Sequence, residues 1–62
     1  MQKWEYLTFY SAGNYYEING GDQVKYKPNE TLHMILNQFG TDGWELVSQP
    51  NNNIWTFKRP LN

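Results

Sequence analysis

The sequence contains no cysteine and a single histidine, and both shortages exclude classes of site. Without cysteine, the chain has neither a disulfide framework nor a thiolate zinc site. With His33 as its one histidine, a histidine-based metal site within one copy is excluded too. We therefore expect this protein to use no metal and no other cofactor.

Charge of one sign and long apolar runs are also missing. Five Lys and Arg residues against six Asp and Glu give a net charge of −1, which offers no long-range attraction to duplex nucleic acid. The longest apolar run is residues 34–36, and the N-terminus lacks the apolar stretch of a signal peptide. The sequence therefore predicts a cytoplasmic protein that does not associate with membranes.

Aromatic residues, in contrast, are abundant. Three Trp, five Tyr and three Phe make up 18% of the 62 residues. A chain of this length buries only about 60% of the surface that its unfolded form exposes, so its stability margin is thin. Each aromatic ring buries about 150–250 Å². We expect residues 1–62 to form one small domain in which aromatic rings supply much of the core.

The predicted elements follow the order βββαββ. Aromatic and β-branched residues between turn residues predict strands at 3–10, 15–18, 23–26, 44–48 and 54–59. The Asn and Gly residues at 19–22 predict the turn of a hairpin between the second and third strands. The fold class is therefore α+β, with a single helix packed on a mostly antiparallel sheet.

The helix is predicted at residues 30–39 from an apolar stripe with i, i+3, i+4, i+7 spacing. The residues of the stripe are Leu32, Ile35, Leu36 and Phe39. Asn29 is the predicted N-cap, and Gly40 is the predicted residue that ends the helix. A helix of this length is too short to persist alone in water, so its stripe must pack on the sheet.

Motifs along most of the chain resemble a known family. Trp-Glu-Tyr at residues 4–6, Gly-Trp-Glu-Leu-Val at 43–47 and Phe-Lys-Arg-Pro at 57–60 resemble a small bacterial and phage domain of unknown function. The resemblance implies an accessory role in a phage or mobile element, and it brings no known reaction, cofactor or catalytic residue. Residues 11–28 lie outside the shared pattern and form the predicted extra hairpin.

Strand alternation predicts which residues lie on the sheet face that the helix leaves uncovered. We expect the helix to cover the alternate residues that include Trp4, Tyr6, Trp44, Leu46, Trp55 and Phe57. The opposite face then carries apolar side chains, Ile54 among them, with a charged rim, which is typical of a contact surface. Its interaction candidates are Glu5, Leu7, Phe9, Glu45, Val47, Lys58 and Arg59.

The predicted hairpin is a second candidate site, because tyrosines and lysines alternate around it. Aromatic rings beside cations bind nucleotides and single-stranded nucleic acids by stacking. Tyrosines are also preferred strand residues that pack on one another, which is the alternative interpretation. The candidates are Tyr10, Tyr15, Tyr16, Lys25, Tyr26 and Lys27.

Three hypotheses about function follow. The first is a non-catalytic interaction domain that self-associates as a homo-oligomer and binds a protein partner, because association would add the core that a short chain lacks. The second is a domain that binds a nucleotide or single-stranded nucleic acid through the hairpin. The third is a hydrolase that uses Glu5 and Glu45 as paired carboxylates; a cross-strand ion pair with Lys58 is the simpler interpretation of these residues.

Overall fold

This computed structural model describes residues 1–61, which contain five strands and one helix. In chain order they are β1 (Trp4–Ala12), β2 (Tyr15–Ile18), β3 (Val24–Lys25), α1 (Leu32–Thr41), β4 (Glu45–Asn51) and β5 (Ile54–Pro60). The predicted order βββαββ and the α+β class are confirmed.

The strands form one sheet in the order β3-β2-β1-β5-β4, and every neighbouring pair is antiparallel. Strand β1 therefore occupies the centre, while β3 and β4 lie at the two edges. The helix connects these edge strands, so the chain crosses the sheet between β3 and β4 on one side. This arrangement covers one face of the sheet and leaves the other without a packed layer.

The helix begins two residues later than predicted. Thr31 is its N-cap, with an extended backbone and a side-chain hydroxyl that accepts a hydrogen bond from the Met34 N–H at 3.2 Å. Asn29 instead adopts a left-handed conformation with φ 72° in the turn before the helix. In that turn the Glu30 carboxylate accepts a hydrogen bond from the Lys27 N–H at 2.9 Å, so the side chain of Glu30 holds the turn closed.

The helix also ends later than predicted. Gly40 lies inside α1, Asp42 is the C-cap, and Gly43 takes the positive φ of 92° that turns the chain toward β4. A left-handed residue just past a helix is the usual place for glycine, because side chains with a Cβ disfavour that conformation. The predicted C-terminal glycine was therefore assigned three residues too early.

The prediction for β1 placed its side chains on the wrong faces. Leu7 and Phe9 face the helix and are 7% and 0% exposed, whereas Trp4 and Tyr6, predicted beneath the helix, are 38% and 61% exposed. Because alternate strand residues point to opposite faces, a shift of one residue exchanges the entire set. The assignment of Trp55 and Phe57 to the covered face is confirmed.

Aromatic contacts dominate the core between the helix and the sheet. The buried cluster in the described chain consists of Leu7, Phe9, Ile35, Phe39, Trp55 and Phe57. Phe9 lies at its centre, with ring centroids 5.3 Å from Phe39 and 5.8 Å from Trp55. Edge-to-face and tilted rings at these separations add to the free energy gained from burying their area.

Both edges of the sheet are poor templates for another strand. Strand β3 has two residues. Strand β4 has seven residues but shows register shifts between Leu46 and Ser48 and between Ser48 and Asn51, and it includes Pro50, which lacks an N–H. Short edges, bulges and proline all hinder edge-to-edge pairing.

Candidate interaction surface

The uncovered face is the name we give to the sheet face opposite α1. Its members follow from the register, since directly paired strand residues share a face. Along the central strand it carries Trp4, Tyr6, Thr8 and Tyr10, and the residues paired with the last three are Lys58, Thr56 and Ile54 of β5. The strand that anchors the core thus presents a second row of side chains to solvent.

Four aromatic side chains lie on this uncovered face. Trp4 and Tyr6 are exposed and belong to β1. Farther along the same face, the rings of Tyr10 and Tyr15 lie 6.4 Å apart, centroid to centroid. The ammonium of Lys58 lies 4.0 Å from the Trp4 ring centroid, a cation–π contact. The result is an aromatic surface that runs along the middle of the sheet and onto β2.

The charged side chains of the uncovered face form two pairs of opposite sign. Lys58 of β5 is paired with Glu45 of β4, next to Tyr6. At the opposite end of β1, Glu17 is paired with Tyr10, and Lys25 is paired with Tyr15. One Lys and one Glu therefore occupy each of two diagonally opposite corners of the face.

The hairpin tyrosines do not form a single platform. Tyr16 and Tyr26 lie on the helix side and pack against the core, with their ring centroids 5.2 Å apart and Tyr16 5.4 Å from Phe9. The Tyr26 hydroxyl is 2.7 Å from Ser11 Oγ in a hydrogen bond. Tyr10 and Tyr15 lie on the uncovered face instead, so the predicted cluster is divided between two sides of the sheet.

Two of these tyrosines have raised pKa values. Burial is the largest cause of the raised pKa of Tyr15, followed by the nearby Tyr10 and Glu17. Burial also raises the pKa of Tyr16, with Glu30 and Tyr26 adding to the effect. Each raised pKa extends the pH range over which the phenol stays neutral.

The lysines predicted beside these tyrosines also separate. Lys25 lies on the uncovered face, opposite Tyr15 in the β2–β3 pair. Lys27 lies after β3, where its backbone N–H bonds to Glu30, and it is not part of the sheet.

The predicted carboxylate cluster is not formed. Glu5 is paired with Arg59 on the helix side, whereas Glu45 is paired with Lys58 on the uncovered face. The two carboxylates thus project from opposite faces of the sheet. The error has the same origin as that for Leu7 and Phe9, namely the reversed faces of β1.

Glu5 and Arg59 belong to a structural clamp at the C-terminal end of the helix. Arg59 Nε donates to Glu5 Oε2 at 2.8 Å, and its terminal nitrogen donates to the Asp42 carbonyl at 3.0 Å. The guanidinium also stacks 4.2 Å from the Trp44 ring centroid. These contacts tie the start of β1 and the adjacent end of β5 to the C-terminal end of α1.

The remaining predicted member, Val47, is 47% exposed and lies at the first bulge of β4. Its neighbour Leu46 is paired with Phe57 and so belongs to the helix side, although it is 51% exposed. Thus Lys58, Glu45 and Ile54 are the predicted residues that the structure places on the uncovered face, together with Tyr10, Tyr15 and Lys25 from the hairpin prediction.

Sequence reasoning missed Trp4 and Tyr6 as members of the exposed surface. A usable signal was present, because the residues at 6, 8 and 10 are Tyr, Thr and Tyr, while the intervening residues are Leu and Phe. Side chains with a polar end tolerate water, whereas Leu and Phe do not. This alternation assigns Leu7 and Phe9 to the core.

Comparisons with protein-family models, with curated proteins and with solved structures found no significant match to this chain. The motif resemblance to the small bacterial and phage domain therefore stays a prediction. Among residues 1–61, no helix is both long and apolar enough to cross a membrane, and no group of three or more His, Asp and Glu side chains is placed to hold a metal ion.

Proposed function

We propose that this protein is a small non-catalytic interaction domain whose contact surface for a protein partner is the uncovered face. The observation that carries the proposal is the exposure of Trp4 and Tyr6 on the central strand of a sheet that has a packed layer on its other side only. Large aromatic rings with polar ends are the residues that dominate protein contact sites.

The surface beside these rings supports the same function. Thr8, Thr56 and Ser48 share the face with them, and their hydroxyl groups can donate and accept hydrogen bonds. Surfaces that combine aromatic rings with hydroxyl groups in this way suit the side chains of a protein partner.

The experiment is site-specific photocrosslinking in the cells that encode the protein. A benzophenone amino acid is placed at Tyr6 and, as a matched control, at Met34, which is 54% exposed on the helix. The adducts are identified by mass spectrometry. We expect protein adducts from position 6 and a clear excess over position 34; equal capture at the two positions would contradict the proposal.

A second candidate function is binding of a nucleotide or single-stranded nucleic acid. It is favoured by the row of aromatic rings on an open sheet with Lys58 over Trp4 and Lys25 beside Tyr15. The face also carries Glu17 and Glu45, so its formal charge is balanced, whereas strands of nucleic acid bind to positively charged grooves. Nucleotide adducts at position 6 would favour this candidate.

A further inference from the structure

We infer that the partner of the uncovered face is a second copy of this chain, packed face to face about a two-fold axis. The inference rests on the proposed function, because it names the partner of that same surface. It is carried by three separate observations: the layout of charge, the state of the sheet edges, and the area available for contact.

The charge layout is self-complementary. In a two-fold dimer each surface patch meets its own copy, so a self-pairing face must place opposite charges at positions that the axis exchanges. Lys58 and Glu17 satisfy this condition, because they lie at diagonally opposite corners about the centre of β1. An axis that lies in the plane of contact and crosses between those corners brings Lys58 of each copy to Glu17 of the other.

The same axis treats the second pair of charges consistently. Glu45 lies beside Lys58 at one corner, and Lys25 lies on the strand beyond Glu17 at the other. The rotation therefore moves Glu45 toward Lys25 of the facing copy. A nucleic acid would leave two carboxylates opposite phosphates, and like charges brought together disfavour a complex.

The edges of the sheet hinder association through strand pairing, which leaves the uncovered face as the surface for association. Strand β3 has two residues, and β4 combines register shifts with Pro50. Both features hinder the pairing of strands from two copies. Packing of two sheets face to face needs no free edge. The axis that exchanges the diagonal corners crosses the strands of the two copies at a large angle, as in orthogonal packing of two sheets.

The area of the face is sufficient for a specific contact. Strands spaced about 4.8 Å apart, with about 3.4 Å per residue, give the five-stranded face roughly 500 Å² in each copy. Two copies would bury about 1,000 Å², near the lower limit for a specific interface. The chain also exposes 4662 Å², compared with about 4,200 Å² expected for a compact monomer of its mass.

The test is sedimentation velocity of the purified full chain, from micromolar to millimolar concentration. It is run on the wild type and on variants with crossed charge reversals. We expect the wild type to form dimers. Lys58→Glu alone and Glu17→Lys alone place like charges together, and each should weaken the dimer at least about tenfold. An equimolar mixture of the two variants restores both cross-copy pairs and should form a heterodimer.

Matched controls make the same charge changes off the face. Lys27→Glu and Asp22→Lys alter exposed residues outside the sheet, and each should dimerise like the wild type. Folding of every variant is checked from its far-ultraviolet circular dichroism. If Lys58→Glu unfolds, Lys25→Glu and Glu45→Lys provide a second crossed pair with the same expected rescue.

Several outcomes would overturn the inference. A wild type that stays monomeric throughout, or a mixture that fails to restore association, contradicts it. If the chain is monomeric and oligothymidylate quenches its tryptophan fluorescence, the result favours binding of single-stranded nucleic acid instead. If the purified chain is monomeric while position 6 still crosslinks to another protein, the inference fails and the proposed function stands; if position 6 captures no more than position 34, both fail.

Discussion

The covered and uncovered faces of the sheet share one central strand but differ in their chemistry. On the helix side, β1 presents Leu7 and Phe9, which are 7% and 0% exposed. On the other side it presents Trp4 and Tyr6, which are 38% and 61% exposed. On β1, therefore, the purely apolar side chains are buried and the rings with a polar end are exposed. Aromatic content alone does not distinguish the two faces.

The difference separates the aromatic residues by role. Phe9, Phe39, Phe57 and Trp55 form the core and make the fold possible without a disulfide. The rings of the uncovered face contribute little to the core of a single copy, because no helix packs on them. The free energy of unfolding of one copy should therefore respond strongly to substitutions on one face and weakly to those on the other.

The largest expected effect is that of Phe9→Ala compared with Tyr6→Ala. Phe9 is fully buried and contacts three aromatic rings, so its loss should lower the free energy of unfolding by about 3–5 kcal/mol. Tyr6→Ala should lower it by less than about 1 kcal/mol in the monomer. Urea denaturation at low protein concentration measures both, and equal losses would remove the distinction between the faces.

Neighbouring residues of β2 sharpen the comparison. Tyr16 packs on Phe9 and Tyr26 on the helix side, whereas Tyr15 contacts Tyr10 on the uncovered face. Tyr16→Ala should cost about 2 kcal/mol, in proportion to its partial burial, and Tyr15→Ala should cost less than half of that. The midpoint of urea unfolding reports the difference. A larger cost for Tyr15 would show that the uncovered face stabilises a single copy.

The helix covers only one of the two faces. A substitution at its N-cap measures how much the stability of that helix depends on local capping. Thr31→Ala removes the hydroxyl that accepts the Met34 N–H and should cost about 1 kcal/mol. His33→Ala, on the exposed side of the same turn, is the control and should change the free energy of unfolding by less than about 0.5 kcal/mol. Thermal unfolding of the two variants makes the measurement; indistinguishable curves would argue against the cap.

Two glycines at the end of the helix provide the smallest effects, and these should have opposite signs. A Cβ at Gly40 meets open space, and Gly40 lies inside α1; Gly40→Ala should therefore stabilise by roughly 0.5–1 kcal/mol. A Cβ at Gly43 also meets open space, but its φ of 92° is strained for alanine, so Gly43→Ala should destabilise by a similar or somewhat larger amount, about 1 kcal/mol. A stabilising Gly43→Ala would contradict the assigned backbone conformation.

Local patterns were sufficient to predict the elements of this fold, because turns and apolar periodicity act over a few residues. The β2–β3 hairpin is an example, with Asn19 and Gly20 at positive φ in its turn. The faces of β1 were predicted wrongly because both of its rows carry aromatic rings, so that ring content alone does not distinguish them; only the polar ends of Tyr6, Thr8 and Tyr10 favour the observed register. The helix that lies against it, and hence long-range packing, decides which of the two is buried.

The candidate site was predicted in part for the same reason. Lys58, Glu45 and Ile54 were placed on the uncovered face because their strands alternate clearly. Glu5 was placed there wrongly because it followed the reversed β1, and the clamp with Arg59 and Trp44 joins residues far apart in sequence. The strand order β3-β2-β1-β5-β4 likewise depends on contacts that no local motif records.

The irregular outer strand β4 has a consequence for stoichiometry. A chain that associates through its strand edges presents a fresh edge after every addition, and so it grows into a fibre of indefinite length. With a two-residue strand at one edge, and with bulges and Pro50 at the other, that open-ended route is hindered. A face that closes on its own copy leaves nothing further to add, so the assembly would stop at two.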